Sequence, residues 1–418
     1  MKLPNLSPDS YWANLFFPAL VGYIVMPQAA VNGRPTLGSV ERLDTSVLDT
    51  LIAPDACLEV IADKNMWAEG PLWVKEEKDP THGFLLWSDV KKNRIYRWEE
   101  GAGLFTIGKS IYLQDSGCRV NASRCQSLIE PGSNGLTLEP ETGLVVMCEH
   151  GERRVARLER NGSFTPLATH YQGKRLNSPN DLVFGPGGDL YFTDPPYGLN
   201  GKEEDPLREL TLSAVYRVPS ASLAAQRTDS PMGSPDVELV HGDLKRPNGL
   251  AFSPDFSKLY VADSDADDPH WLVLTMDAVT GLATEHSVFA SAKPFQAGRD
   301  GSTRIGNPDG LKVDEKGNLF ATGPGGVLVL SPEAKLLGTI LTGKKTANVA
   351  FSEEGIGSGN GGCSFLYVCA DDVVGRIPLL TKAAPASPLT REKAGGRNMR
   401  GGSEAKVCVG PDGDGNSC

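Results

Sequence analysis

The chain has 418 residues, 40% hydrophobic and 22% charged side chains, and a formal net charge of −11, with no basic stripe carrying interleaved aromatics. That balance disfavours a nucleic-acid partner and otherwise bears on solubility alone. The 47 glycines and 30 prolines suit many short strands and turns.

In chain order, residues 1–54 do not resemble the rest of the chain. Leu15–Met26 (LFFPALVGYIVM) is an apolar run too short for a comfortable membrane span, so no stable span is expected. It resembles a signal-peptide core, with Ala29-Ala30 as a small-residue cleavage region, although Lys2 is the only basic side chain before it. A secreted or periplasmic protein is the expectation; the competing reading is an arm that packs its apolar residues on the body of the protein. Residues before about Pro54 are expected to add little to the core. Leu58–Ala62 then reads as a strand able to pair with the end of the chain and remove an exposed sheet edge.

From Trp67 to Leu380 one pattern recurs. It is clearest at Ser178–Gly198, where Asn180-Asp181 precedes the apolar run Leu182–Phe184, Gly185–Asp189 turns the chain, and Leu190–Thr193 returns. The polar-then-apolar phase repeats at Glu69, Asn134, Asn180, Asn248, Asp309 and Asn348, at spacings of roughly 65, 46, 68, 61 and 39 residues. Antiparallel repeats near this length predict an all-β fold, a β-propeller, and six copies predict six four-stranded blades over residues 55–380. The longest departures, Gly101–Pro131 and Asn200–Pro235, are expected as surface loops. Residues 381–418 lack apolar periodicity and read as a disordered tail.

Eight cysteines lean weakly toward an oxidising compartment. Cys118 and Cys125 flank a short polar loop holding the sequon Asn121-Ala122-Ser123, Asn161-Gly162-Ser163 is a second sequon, and no spacing matches a zinc site.

In a propeller the inner strand of each blade lines a central channel, so the repeated polar positions converge on its axis. Glu69, Asn180, Asn248 and Asp309 would offer two carboxylates and two amides from four blades, a set suited to one hard divalent cation. Calcium is favoured, with Mg²⁺, Mn²⁺ or Zn²⁺ as alternatives. Taken singly, each Asn-Gly or Asp-Gly is turn chemistry; the set points to a metal.

Glu69-Gly70-Pro71, Lys174–Asp181, Phe192–Gly198, Arg246–Phe252, Pro308-Asp309-Gly310 and Thr346–Val349 resemble the motifs of the SMP-30/gluconolactonase/LRE-like family across about Leu58 to Leu380. The resemblance implies a six-bladed propeller with one catalytic divalent metal held by Glu69, Asn248 and Asp309, and Asn180 contacting metal or substrate. It further implies a small-molecule lactone as substrate, in a monomer or dimer. The cysteine-bearing insertion, the segment Glu353–Gly362 and the tail depart from the family pattern and put substrate identity in doubt.

Lactone hydrolysis needs a polarised carbonyl and an activated water, which a cation can supply. Asp309 is then the candidate for the water proton, while Asn134 and Asn180 are candidates for orienting the substrate. His150 is a candidate substrate contact or proton carrier, with turn-capping as its competing role. Asp194 and Tyr197 are weaker substrate candidates, and Asp263 and Asp265 read as loop acids. No Gly-x-Ser-x-Gly elbow occurs, which disfavours a serine esterase. Two alternatives stand beside the lactonase: a phosphotriesterase or arylesterase on the same metal, and a non-catalytic extracellular binding module.

Overall fold

Each sequence repeat becomes one antiparallel sheet in the computed structural model, which describes residues 34–76, 79–99, 109–119, 121–226, 236–352 and 364–385. The signal-like run, the segment Glu353–Gly362 and the chain beyond Pro385 lie outside the described residues. The six inner strands are Ala68–Glu76, Ser133–Leu138, Leu182–Phe184, Pro247–Phe252, Leu311–Val313 and Thr346–Phe351. They pair with Asp79–Asp89, Val145–Glu149, Leu190–Thr193, Lys258–Asp263, Leu319–Gly323 and Ser364–Ala370. The sheets form a six-bladed β-propeller.

Burial explains the sequence pattern. Every residue of Val145–Glu149, Leu190–Thr193, Leu319–Gly323 and Ser364–Ala370 is buried. A second strand is covered on both faces by neighbouring blades, so it reads as a continuous apolar run rather than an alternating one. Outer strands meet water instead, and Ala283–Ser291 has no buried residue. Aromatic pairs knit the blades together. Trp73 stacks on Tyr367 at 5.3 Å, Tyr191 meets Phe252 edge-on at 5.1 Å, and Phe320 meets Phe351 at 5.3 Å. Such contacts add about 0.5–1.5 kcal/mol each beyond the area they bury.

Glu59–Ala62 closes the ring as the outermost strand of the sixth blade, pairing with Val373–Leu379. Arg376 Nε donates to Glu59 Oε2 at 3.2 Å across this seam.

Three expectations are corrected. Residues before Pro54 do enter the core: Ser39–Arg42 adds a fifth strand to the fifth blade, and Leu48, Leu51 and Ile52 are 0% exposed against Phe320, Leu337 and Ile340. The edge strand Leu336–Leu341 would otherwise stand open, and the arm covers it. Two presumed loops contain blade strands. Ser110–Gln114 is the outer strand of the first blade, and Ser213–Val218 is a wholly buried strand of the third. Residues 381–384 also pack on the body, against the expectation of a tail from residue 381. Thr381 is buried and its Oγ1 donates to Asp314 Oδ2 at 3.0 Å, while Ala384 N donates to Val313 O at 2.9 Å. No helix among the described residues is long and apolar enough to cross a membrane.

Candidate active site

A cavity of about 710 Å³ opens where the inner strands begin, and its wall includes Glu69, Asn134, Asn180, Asn248 and Asp309. Local backbone irregularity aims these side chains inward. The inner strands shift register between Glu69 and Leu72, Ser133 and Leu136, and Pro247 and Leu250. A bulge of this kind leaves residues out of the ladder and re-aims their side chains.

The glycine that follows Glu69, Asn134, Asn248 and Asp309 has a specific physical reason. A Cβ on Gly249 would lie 2.5 Å from Asp309 O, and one on Gly70, whose φ is +50°, would lie 2.1 Å from Asn134 O. Adjacent inner strands thus approach too closely for any side chain, and the amide they free bonds across the gap. Gly135 N donates to Asn180 O at 2.8 Å, Gly249 N to Asp309 O at 3.2 Å, and Gly310 N to Ala347 O at 2.7 Å. Asn-Gly and Asp-Gly here are blade-to-blade contacts rather than turns.

A second recurrence was not read from the sequence, where Asp194 is a weak substrate candidate, Asp263 is a loop acid and Asp89 is passed over. Asp89 and Asp263 end the second strands of the first and fourth blades, and Asp194 directly follows that of the third. Each carboxylate accepts from two backbone amides, three and two residues before a series residue. Asp89 binds the N–H groups of Met66 and Trp67 (3.0 and 3.2 Å), Asp194 those of Asn177 and Ser178 (2.7 and 2.8 Å), and Asp263 those of Lys245 and Arg246 (3.0 and 2.9 Å). These acids hold the entry turns of Glu69, Asn180 and Asn248. The repeated position at the end of the second strand was the available signal.

Among the described residues of the cavity wall, four side-chain oxygens are enclosed and have no hydrogen-bond partner: Oδ1 of Asn134, Asn180, Asn248 and Asp309. The amides come from strands where Asn134, Asn180 and Asn248 are 3%, 3% and 4% exposed, so bulk water does not compensate them. Asn248 Nδ2 donates to Ser264 Oγ at 3.2 Å, which fixes the other end of that amide. Glu69 Oε2 accepts from Gly70 N at 2.9 Å. Asn348, the sixth of the series, is not on the cavity wall; its Nδ2 donates to Asp181 Oδ2 at 3.2 Å, and the side chain also bonds Glu69.

The electrostatics match a site built for positive charge. Burial pushes the Glu69 carboxyl up to about 8, with Asp181 adding repulsion. Burial, then the charges of Glu69 and Asp181, hold Asp309 well above the ordinary carboxylate range. Enclosed, unpartnered oxygens beside two mutually repelling carboxylates fit a hard divalent cation, with Glu69, Asn180, Asn248 and Asp309 as the residues that could hold it. Among the described residues no three His, Cys, Asp or Glu side chains cluster as a metal site, so the amides are indispensable to this donor set.

The rim carries Lys202, Arg246, Arg304 and Lys345 with Trp67, Tyr197 and Glu130. Arg304 Nη2 donates to both carboxylate oxygens of Glu41 at 2.9 Å, so the N-terminal strand reaches the site. Tyr197 lies on the wall as expected of a substrate contact, and burial raises its hydroxyl above the usual phenol range. His150 does not line the cavity; it is wholly buried behind Asn134, with Nε2 3.4 Å from Asn134 Nδ2. Asp194 and Asp263 hold backbone, as above, and Asp265 pairs with Lys245 at 2.7 Å outside the wall.

The family description SMP-30/Gluconolactonase/LRE-like region matches residues 67–357. A gluconolactonase of Zymomonas mobilis is 35% identical over 335 residues, covering 78% of this chain and 85% of that protein. A lactonohydrolase of Aspergillus oryzae is 26% identical over 206 residues, covering 46% of this chain and 43% of the other. The solved structure of a Xanthomonas campestris gluconolactonase superposes with a TM-score of 0.61 at 28% identity, covering 82% of this chain and 97% of that one. With the match spanning the blades and the cavity-lining strands alike, the chain belongs to the SMP-30/gluconolactonase/LRE-like family.

Proposed function

We propose that this protein is a divalent-cation-dependent hydrolase that opens sugar lactones. The observation that carries the reading is the convergence of unpartnered oxygens from Asn180, Asn248 and Asp309 with Glu69 in one cavity. Similarity to a gluconolactonase over most of both chains supports the substrate class. A cation in this donor set would supply Lewis-acid polarisation of a carbonyl and of water, and all-oxygen donors with few charges favour calcium.

The chain's own residues do the rest. Asp309 Oδ1, free of any partner, takes the proton of the attacking water as its oxygen bonds to the lactone carbonyl carbon. The ring C–O bond then breaks and the departing oxygen receives a proton, leaving a hydroxy acid. Glu69 contributes the second negative charge of the cation site. Asn134 and Tyr197 face the cavity with groups that orient sugar hydroxyls, and Trp67 offers an apolar wall. The Cys118–Cys125 disulfide supports an oxidising compartment as part of the same proposal.

The test is hydrolysis of glucono-δ-lactone by full-length protein, with and without chelator, followed by return of Ca²⁺, Mg²⁺, Mn²⁺ or Zn²⁺. Loss on chelation and recovery with one cation is the expected result. Full activity after complete chelation would remove the cation from the reaction. Cation binding without turnover of lactones, aryl esters or phosphotriesters would assign a binding module instead.

A further inference from the structure

The cysteine-bearing insertion ends on the cavity wall. Cys118 and Cys125 are bonded around the short helix Ala122–Ser127, and Glu130, a few residues on, lines the cavity. The insertion is docked on the turn after His150. Arg124 Nη2 donates to Gly151 O at 2.9 Å, and a Cβ on Gly151 would lie 2.4 Å from the Cys118 Cβ. It is docked on the Tyr197 loop as well, because Ile129 N donates to Asn200 Oδ1 at 2.9 Å and Asn200 Nδ2 to Ser127 O at 2.8 Å.

Glu130 thereby faces an unusual neighbour. Its Oε2 is 3.5 Å from Nδ1 of the wholly buried His150, within ion-pair distance but without hydrogen-bond geometry, so Nδ1 has no hydrogen-bond partner. The opposite ring nitrogen, Nε2, is 3.4 Å from Asn134 Nδ2. Gly198 packs directly on this side chain, since a Cβ there would lie 2.7 Å from the His150 Cβ and 3.0 Å from its Cγ. An amide that donates from Nδ2 needs Nε2 as an acceptor, which puts the ring proton on Nδ1, on the side of the Glu130 carboxylate 3.5 Å away.

We propose that Glu130 and His150 are positioning residues that set the polarity of Asn134, so that its amide oxygen rather than its NH₂ faces the bound lactone. The insertion serves this chain by delivering Glu130. A proton on Nε2 would turn the amide round and present a donor to the cavity, which selects a different pattern of substrate hydroxyls. The substrate named here rests on the lactonase reading, and the place of the proton on geometry alone.

Long-range ¹H–¹⁵N spectra of imidazole-labelled full-length protein test it, with His150→Gln identifying the signal. Wild type should show the Nδ1–H tautomer, and Glu130→Gln, whose amide can donate to Nδ1, should shift it toward Nε2–H. In the same variant KM for glucono-δ-lactone should rise about tenfold, the worth of one hydrogen bond to a charged group, and calorimetric Ca²⁺ affinity should fall as well, because Glu69 and Asp309 both feel the Glu130 charge. Cys118→Ser with Cys125→Ser should move tautomer and KM in the same direction, because Glu130 loses its anchor. A ring proton on Nε2 in wild type, or a tautomer indifferent to Glu130→Gln, overturns the positioning chain. An unmoved KM in the face of a switched tautomer overturns the contact between Asn134 and substrate. If wild type turns over no lactone, the activity reading fails, and the spectra still decide the proton.

Discussion

In the proposed reaction two carboxylates carry the chemistry at the scale of single residues, and their roles separate experimentally. Asp309→Asn keeps an oxygen for coordination but cannot take a proton, so turnover should fall by about 10²–10⁴ and stay low at saturating metal. Full recovery of rate in a metal titration would reduce Asp309 to a ligand and send the search for the base elsewhere. Glu69 reports through stability. Its folded value of about 8 stands above the ordinary value of 4.5, so the chelated folded protein holds an extra proton between these limits. The corresponding stability is intact below pH 4.5 and is lost progressively as pH climbs through about 8. Asp309 shifts in the same direction. The melting temperature of chelated protein should therefore fall across that window, and added Ca²⁺ should raise it most at the alkaline end, where protons no longer compete. Glu69→Gln should flatten the slope and weaken Ca²⁺ binding. A melting temperature that rises with pH after chelation would show that Glu69 is already ionised in the empty site.

At the scale of elements, the site depends on how closely two inner strands approach. Gly249→Ala would drive a methyl to within 2.5 Å of Asp309 O, in backbone that cannot yield without displacing Asp309 itself. Overpacking of this kind costs about 1–3 kcal/mol, and activity should drop with stability. A thermal melt and lactone kinetics on this variant check both; unchanged values would mean the strands separate freely. The blades were legible because each inner strand restates one phase, a polar residue then an apolar run, with glycine between them in four of the six, and because four second strands are buried throughout. Ser213–Val218 was not legible. Arg217 interrupts its apolar run and is tolerated inside because it pairs with Asp189 at 2.9 Å, a partner the local sequence does not reveal. The site divides the same way. Glu69, Asn134, Asn180, Asn248 and Asp309 announce themselves by repetition. Glu130, Arg304 and Glu41 come from loops and an edge strand that share no phase with the blades, and only the closed ring brings them together.

For the whole molecule, the question is what a propeller needs in order to stay shut. Two N-terminal strands work on different seams. Glu59–Ala62 joins the chain's beginning to its last blade, and Ser39–Arg42 covers the edge of the fifth. Leu48, Leu51 and Ile52 between them are wholly buried, and at about 1.5–3 kcal/mol each their burial is comparable with the entire stability of an ordinary domain, about 5–15 kcal/mol. Truncation should therefore act in steps. Removal of residues 1–33 should leave melting temperature and turnover nearly unchanged. Removal of residues 1–54 should lower the melting temperature sharply and raise KM as well, because Arg304 on the cavity rim loses Glu41, its bidentate partner at 2.9 Å. Removal through Ala62 should abolish the cooperative transition, since Val373–Leu379 is left as an open edge and the first and last blades lose their covalent tether. Calorimetry of the three truncations with and without Ca²⁺ distinguishes these steps. Cooperative melting of the shortest form would show that packing of Trp73 on Tyr367 closes the ring without the strand.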